Sequence, residues 1–154
     1  MYQISQVTVF QINEPCNNYY NRKKPGNCKY IVGNSRQTYQ IAKHIVEAEK
    51  DTYWLLLFDE SNALKHAQKI GSVNTGFGNI KTLLQVALRH ECLSIVLVSH
   101  SRERYMANKT DLLYNIRLIS AASGISITLL DHLIIEPDGY YSYRDNGLLS
   151  YMSD

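Results

Sequence analysis

The sequence has little of what marks secreted, membrane or nucleic-acid-binding proteins. Its 154 residues include three cysteines, an odd number with no CxxC pair, so neither a disulfide framework nor a cysteine zinc site is indicated. No apolar run approaches the roughly 18 residues that span a bilayer, and the first residues lack the pattern of a signal peptide. The net charge of +2 is too small to indicate a nucleic-acid binder. These absences favour a cytoplasmic protein that does not bind membranes.

What remains is the composition of a globular protein. Hydrophobic residues make up 45% of the chain, and its length suits one domain over residues 1–154. Near the start, Gln6–Ile12 alternates polar and apolar residues as a short strand does. The polar residues 13–33 contain Asn-Asn and Pro-Gly pairs, and we expect them to form a mobile loop or insert.

Helical and strand patterns alternate along the rest of the chain. The predicted elements are a helix from Asn34 or Ser35 to Glu49, strands Tyr53–Phe58 and Leu64–Ile70, a helix around Ile80–Leu88, a strand Leu93–Val98, a helix Thr110–Ala122 stopped by Gly124, and strands Ile125–Ile135 and Tyr140–Tyr143. Tyr53–Phe58 is continuously apolar, which is typical of a strand buried on both faces. The order predicts an α/β sandwich with a mixed β-sheet flanked by helices.

The last two predicted strands carry the most specific motif. Leu129–Ile135 reads LLDHLII, and Gly139–Leu149 reads GYYSYRDNGLL. This pairing closely resembles the C-terminal end of RadC-family JAB (MPN) domains, and the resemblance covers about Asp51–Leu149, roughly two thirds of the chain. It implies a JAB/MPN (cytidine-deaminase-like) fold, a zinc hydrolase design related to deubiquitinating and sulfur-carrier-cleaving enzymes, and the family's DNA-repair label.

The family's metal motif, His-x-His followed by Ser and Asp, is only partly present. Counting back from His132 places the four motif positions, in order, at Val98, His100, Asn108 and Asp111. The first His is therefore replaced by Val98, and the Ser by Asn108. The resemblance leaves His100 and Asp111 as metal ligands, and it matches the family's activating Glu to Asp51.

Asn108, like the Ser that it replaces, could still donate a hydrogen bond to a developing oxyanion, whereas the other replacements weaken the design of a zinc hydrolase. Three protein ligands leave the fourth zinc position for a water whose pKa falls to about 7. Val98 offers no lone pair, so a site of two ligands should bind zinc weakly. Asp51 is one methylene shorter than Glu, which places a general base farther from the proton it takes. We expect a catalytically degenerate module that binds a protein or peptide and has no tightly bound zinc; the alternative is a divergent zinc (iso)peptidase completed by another ligand.

The same residues also have structural interpretations. Asn108 and Asp111 stand three apart before an apolar periodic run, as a helix cap and an acidic first-turn residue do. His100 suits a hydrogen-bonded histidine at the end of a strand. Asp131-His132 could form a catalytic dyad, although an orienting hydrogen bond within the strand is favoured because no nucleophile elbow is found. Three further histidines stand at no ligand spacing and are expected on element surfaces: His44, His66 and His90.

Two other partners stay open. Basic residues in two segments, with tyrosines nearby for stacking, could contact single-stranded DNA. They are Arg22 to Lys24 in the predicted loop, and Arg102, Arg104 and Lys109 after the fourth predicted strand. An exposed edge strand could also pair with a second copy of the chain, which would make a homo-oligomer.

Overall fold

A computed structural model describes residues 34–48 and 50–149 of the chain. Its elements are α1 (Ser35–Ala48), β1 (Thr52–Phe58), β2 (Leu64–Ser72), α2 (Ile80–Arg89), β3 (Ser94–His100), α3 (Lys109–Ser123), β4 (Thr128–Glu136) and β5 (Gly139–Ser142). The predicted strand Gln6–Ile12, the predicted loop 13–33 and its basic run lie outside the described residues. None of the described helices is long and apolar enough to cross a membrane.

The five strands form one mixed sheet in the order β2-β1-β3-β4-β5. β1 runs antiparallel to β2 and β3, β4 runs parallel to β3, and β5 returns antiparallel to β4. The parallel pair is joined through α3, because parallel neighbours need a crossover connection. The predicted α/β architecture with a mixed sheet and flanking helices is confirmed.

The two faces of the sheet carry separate hydrophobic clusters. Since side chains alternate along a strand, Trp54, Leu56 and Phe58 pack on the α1 face. Leu55 and Leu57 point to the opposite face, which α2 and α3 cover. Every residue of β1 except Tyr53 is buried, as the continuous apolar run predicts. Burial on both faces makes β1 and β3 the rigid centre that positions the site.

Local contacts fix where α1 begins and where β4 begins. The Asn34 side chain accepts a hydrogen bond from the Gln37 amide at 2.9 Å, so Asn34 caps α1. Gly124 follows α3 as predicted, but its φ is −65°, and the left-handed residue is Ser126, with a φ of 59°. Residues 125 and 126 therefore complete a turn, and β4 begins at Thr128 rather than at Ile125.

One polar residue of the sheet lies deeper than its sequence indicates. His66 was expected on a surface and is 2% exposed, so that interpretation is wrong. Its ring stacks on His90 with centroids 3.9 Å apart and bonds Gln68 at 3.2 Å. The C-terminal end of α2 covers this part of β2, and the coverage comes from the tertiary packing rather than from the alternation of β2.

Candidate functional site

The positions matched to the metal motif gather around the end of β3. Val98 lies two residues before His100, which is the last residue of that strand. Val98 is fully buried on the α1 face of the sheet, with Trp54 and Leu133 as its strand neighbours. Val98 is thus part of the hydrophobic core. It packs against apolar neighbours and has no lone pair with which to bind a metal.

His100 lies next to Asp51. The family resemblance matches His100 to a metal ligand and Asp51 to the general base, and these two groups lie close together in such a site. His100 Nδ1 is 3.7 Å from Asp51 Oδ1, too far for a hydrogen bond, and this nitrogen is buried without a hydrogen-bond partner. Asp51 precedes β1 and has a φ of 61°, a left-handed conformation that Asp adopts more readily than most residues. The turn before β1 therefore points the carboxylate towards the end of β3.

The carboxylate of Asp51 is held by Arg102 rather than by His100. Arg102 Nε donates to Oδ1 at 3.2 Å, and its Nη2 donates to Oδ2, a two-point contact that matches the guanidinium to the carboxylate. The pair is largely open to water, with the Arg102 side chain 78% exposed. The guanidinium lowers the pKa of Asp51 below its ordinary value, and this makes Asp51 a weaker base than an unpaired carboxylate.

Asp111 is bound into a different network at the start of α3. Asn108 caps this helix, because its Oδ1 accepts the Asp111 amide at 2.9 Å. Asn108 Nδ2 donates to Asp111 Oδ2 at 3.1 Å, and the Tyr105 hydroxyl donates to the same oxygen. The capping interpretation of Asn108 and Asp111 is confirmed. No hydrogen bond or ion pair joins Asp111 to His100.

Tyr105 links Asp111 to the C-terminal part of the sheet. Its hydroxyl shares a hydrogen bond with that of Tyr143, and its backbone amide donates to Glu136 Oε2 at 2.7 Å. Burial, together with the hydrogen bond to Asp111, raises the pKa of Tyr105 far above its ordinary value, and burial raises that of Tyr143 to about 12. Both hydroxyls therefore remain protonated and act as hydrogen-bond donors beside Asp111.

Asp131 and His132 do not form a dyad. Asp131 Oδ2 accepts a hydrogen bond from the Ser142 hydroxyl at 2.6 Å, and Oδ1 accepts one from the Arg144 amide at 3.0 Å. His132 Nδ1 is 2.9 Å from Asn115 Oδ1 on α3. The orienting hydrogen bond expected within the strand is not what these contacts give, because both side chains bond residues of other elements.

The described residues do not fit a three-ligand zinc site. Across residues 34–48 and 50–149, no group of three or more His, Cys, Asp or Glu side chains is arranged to hold a metal ion. Val98 has no donor atom, and one oxygen of Asp111 already accepts two hydrogen bonds.

A cleft of about 550 Å³ opens beside Asp51. Its lining residues are Lys50, Asp51, His100, Arg102 and Pro137. Of the residues predicted to contact DNA, Arg102 lines this cleft, whereas Arg104 and Lys109 are exposed outside it. A second pocket of about 330 Å³ lies between β2 and α2, away from the motif positions.

Sequence reasoning missed two kinds of residue at this site. Lys50 was overlooked because it lies between a helix and a strand in no motif. Tyr105 was given no role, and Tyr143 was placed only at the end of the last predicted strand. The available signal was the position of Tyr143 within the GYYSYRDNGLL segment, but its bond to Tyr105 spans 38 residues and no local pattern reports it.

Comparisons with known proteins agree with the geometry at the level of the family. A family profile described as RadC-like JAB domain matches residues 32–148. UPF0758 proteins are similar: that of Aquifex aeolicus (strain VF5) is 28% identical over 83% of this chain and 57% of its own length. Those of Porphyromonas gingivalis (strain ATCC BAA-308 / W83) and Chlorobium phaeovibrioides (strain DSM 265 / 1930) are each 27% identical, over 77% and 94% of this chain and 54% and 65% of their own lengths.

The fold and the profile match define a JAB-type α/β domain. The chain belongs to the RadC-like JAB domain family. It spans little more than half the length of most of the curated relatives given above. Their names state no substrate or partner, so a role in DNA repair stays a prediction.

Proposed function

We propose that this chain is a JAB-fold module that binds a protein or peptide in the cytoplasm and performs no zinc-dependent hydrolysis. The observation that carries the proposal is the engagement of Asp111. Its Oδ2 accepts hydrogen bonds from Tyr105 and Asn108, so one of its two possible ligand oxygens is already used within the protein. In this chain neutral donors stabilise the Asp111 carboxylate, whereas in an active zinc hydrolase of this design the metal does so.

Two further observations support the loss of hydrolysis. Val98 is wholly buried against the α1 face, where it has no lone pair to offer. Asp51 is paired with Arg102, and the resulting lowered pKa weakens it as a general base. The ligand set and the base are thus altered separately, so repairing one leaves the other deficient.

The binding role is supported by the cleft beside Asp51. At about 550 Å³ it lies within the roughly 300–1,000 Å³ usual for ligand sites. Its walls come from three separate parts of the sheet: the turn before β1, the end of β3, and the turn between β4 and β5. Of its lining residues, His100 lies at the end of a central strand, so this wall of the cleft is held by the sheet.

The proposal is tested by the zinc content of protein purified without added zinc or chelator. Elemental analysis should find far less than one zinc per chain. The Val98→His variant alone should gain little zinc, because Asp111 still accepts the Tyr105 hydroxyl. Combining Val98→His with Tyr105→Phe removes that bond and should raise the zinc content further. Circular dichroism would verify that each variant is folded, because Val98 lies in the core.

The proposal fails if the natural protein carries about one zinc per chain and loses it in both His100→Ala and Asp111→Asn. That pattern would show that the two remaining ligands hold metal together with a third ligand. A divergent (iso)peptidase would then be the better description. Cys92→Ser is a suitable control, because Cys92 is buried at the end of α2, away from the site.

A further inference from the structure

We infer that the cleft lined by Lys50, Asp51, His100 and Arg102 binds the terminal carboxylate of a peptide. The inference rests on the proposed function and deepens it, because it names the group that the binding module recognises. It is carried by an excess of positive charge and of unused hydrogen-bond donors in one concave site.

The charges of the cleft do not balance. Lys50 and Arg102 are cationic and Asp51 is the one carboxylate among the lining residues, so side chains of positive charge outnumber carboxylates by one. Lys50 acts on Asp51 only through its charge, and it makes no hydrogen bond or ion pair with the described part of the chain. A ligand with one negative charge would complete the site.

Donors in the cleft exceed the acceptors that Asp51 supplies. The guanidinium of Arg102 has five N–H donors, and two of its nitrogens bond to Asp51. The other N–H groups of this guanidinium have no partner among the described residues. A carboxylate seated between Lys50 and Arg102 would use the remaining donors, since planar oxyanions match the guanidinium edge.

The same geometry disfavours the phosphates of a nucleic acid. Arg104 and Lys109 do not line the cleft, so the basic residues form no continuous track for a backbone. Asp51 within the cleft would repel a chain of phosphates, and the protein's net charge is only +2. A single terminal carboxylate avoids a repeated penalty and fits the single charge in excess.

The probe is acetyl-tetraalanine with a free C-terminal carboxylate, compared with the same peptide as a C-terminal amide. The acetyl group removes the charge of the amino terminus, so the two peptides differ only at the carboxyl end. Titration followed by ¹H–¹⁵N correlation spectra should shift the amides of Lys50, Asp51, His100 and Arg102 with the acid. The amide peptide should leave these resonances unchanged.

Variants that change one charge of the cleft test whether the affinity for the acid falls or rises as the inference predicts. Lys50→Gln and Arg102→Gln should each weaken binding of the acid by about fivefold, the range of one exposed charge contact. Arg104→Gln is the matched control and should have no effect. Asp51→Asn should strengthen binding by about threefold, because it releases Arg102 and removes a repulsive charge. Asn tolerates the left-handed φ at this position, so the variant should fold.

Several outcomes would overturn the inference. Equal binding of acid and amide, no shift at about 20 mM peptide, or weaker binding in Asp51→Asn would each refute it. So would a thymidine oligonucleotide that shifts Arg102, Arg104 and Lys109 together and is released steeply by salt. A zinc-free protein that ignores the peptide would leave the proposed function standing and remove this inference. A zinc-filled protein that still prefers the acid through Lys50 and Arg102 would remove the proposed function and leave the carboxylate site standing.

Discussion

Replacing Tyr105 by phenylalanine removes one hydroxyl from the network that joins α3 to the sheet. That hydroxyl donates to Asp111 and shares a bond with Tyr143. A hydrogen bond to a charged group contributes about 1.5–3 kcal/mol. Asn108 still donates to Asp111 at 3.1 Å in the variant, so the expected loss is about 2 kcal/mol, in the lower part of that range.

Thermal and urea unfolding would measure this loss. For a chain of this size each kcal/mol shifts Tm by about 2–4 °C, so Tyr105→Phe should lower Tm by about 4–8 °C. Tyr141→Phe is the matched control: its ring contacts the same two tyrosines, but its hydroxyl makes no hydrogen bond with the described residues. The control should change the free energy of unfolding by less than about 0.5 kcal/mol.

Equal stability of Tyr105→Phe and Tyr141→Phe would mean that the Tyr105 hydroxyl contributes nothing to the free energy of unfolding. A double-mutant cycle with Asp111→Asn sharpens the test, because contacting residues show coupling of about 0.5–3 kcal/mol. Additive losses would mean that the Tyr105 hydroxyl and the Asp111 carboxylate do not stabilise each other. Neutral donors would then not be what stabilises the Asp111 carboxylate in place of a metal.

Three other changes test the fold and the surface of the site. Burial lowers the pKa of His132 to about 4, so only the unfolded chain takes up this proton as pH falls below about 6.5, and urea titrations should show a loss of about 3 kcal/mol by pH 4. Asp131 partly offsets this loss at the acid end, because burial raises its pKa and the folded state binds that proton first. Leu118→Ala in the core should cost about 2–5 kcal/mol by chemical denaturation, against less than about 0.5 kcal/mol for Leu113→Ala, whose side chain is 41% exposed. Arg102→Gln should leave Tm unchanged in differential scanning calorimetry, because its pair with Asp51 is exposed to water.

The order of elements could be predicted because each has its own local signal. Continuous apolar residues indicate β1, a periodic stripe indicates α2, and the turn residues before Gly139 separate β4 from β5. The order β2-β1-β3-β4-β5 needs more than local signals, since it depends on which strands pair at long range. A mixed sheet follows from the element order, but the register of each pair does not.

At the candidate site, the sequence predicts which residues lie close together for two pairs, but it does not predict the positions of Tyr105 and Arg102. The spacing of Asn108 and Asp111 indicates a cap, and the family comparison brings Asp51 near His100. The role of Tyr105 depends on the path of residues 101–108, which no periodicity constrains. The Asp51–Arg102 pair spans 51 residues and joins two loops, so sequence alone leaves both partners unassigned.

The LLDH motif carries the strongest resemblance and also the clearest reason to separate fold from activity. Neighbouring residues on a strand point to opposite faces, so Asp131 and His132 serve different elements. Asp131 holds the turn after β5 through Ser142 and Arg144, while His132 bonds Asn115 and stacks on Tyr143 with centroids 4.9 Å apart. Both side chains are buried and anchor the C-terminal turn and α3 to β4. Because these partners lie outside the metal-motif positions, this motif can specify the JAB fold in a chain whose ligand positions have changed.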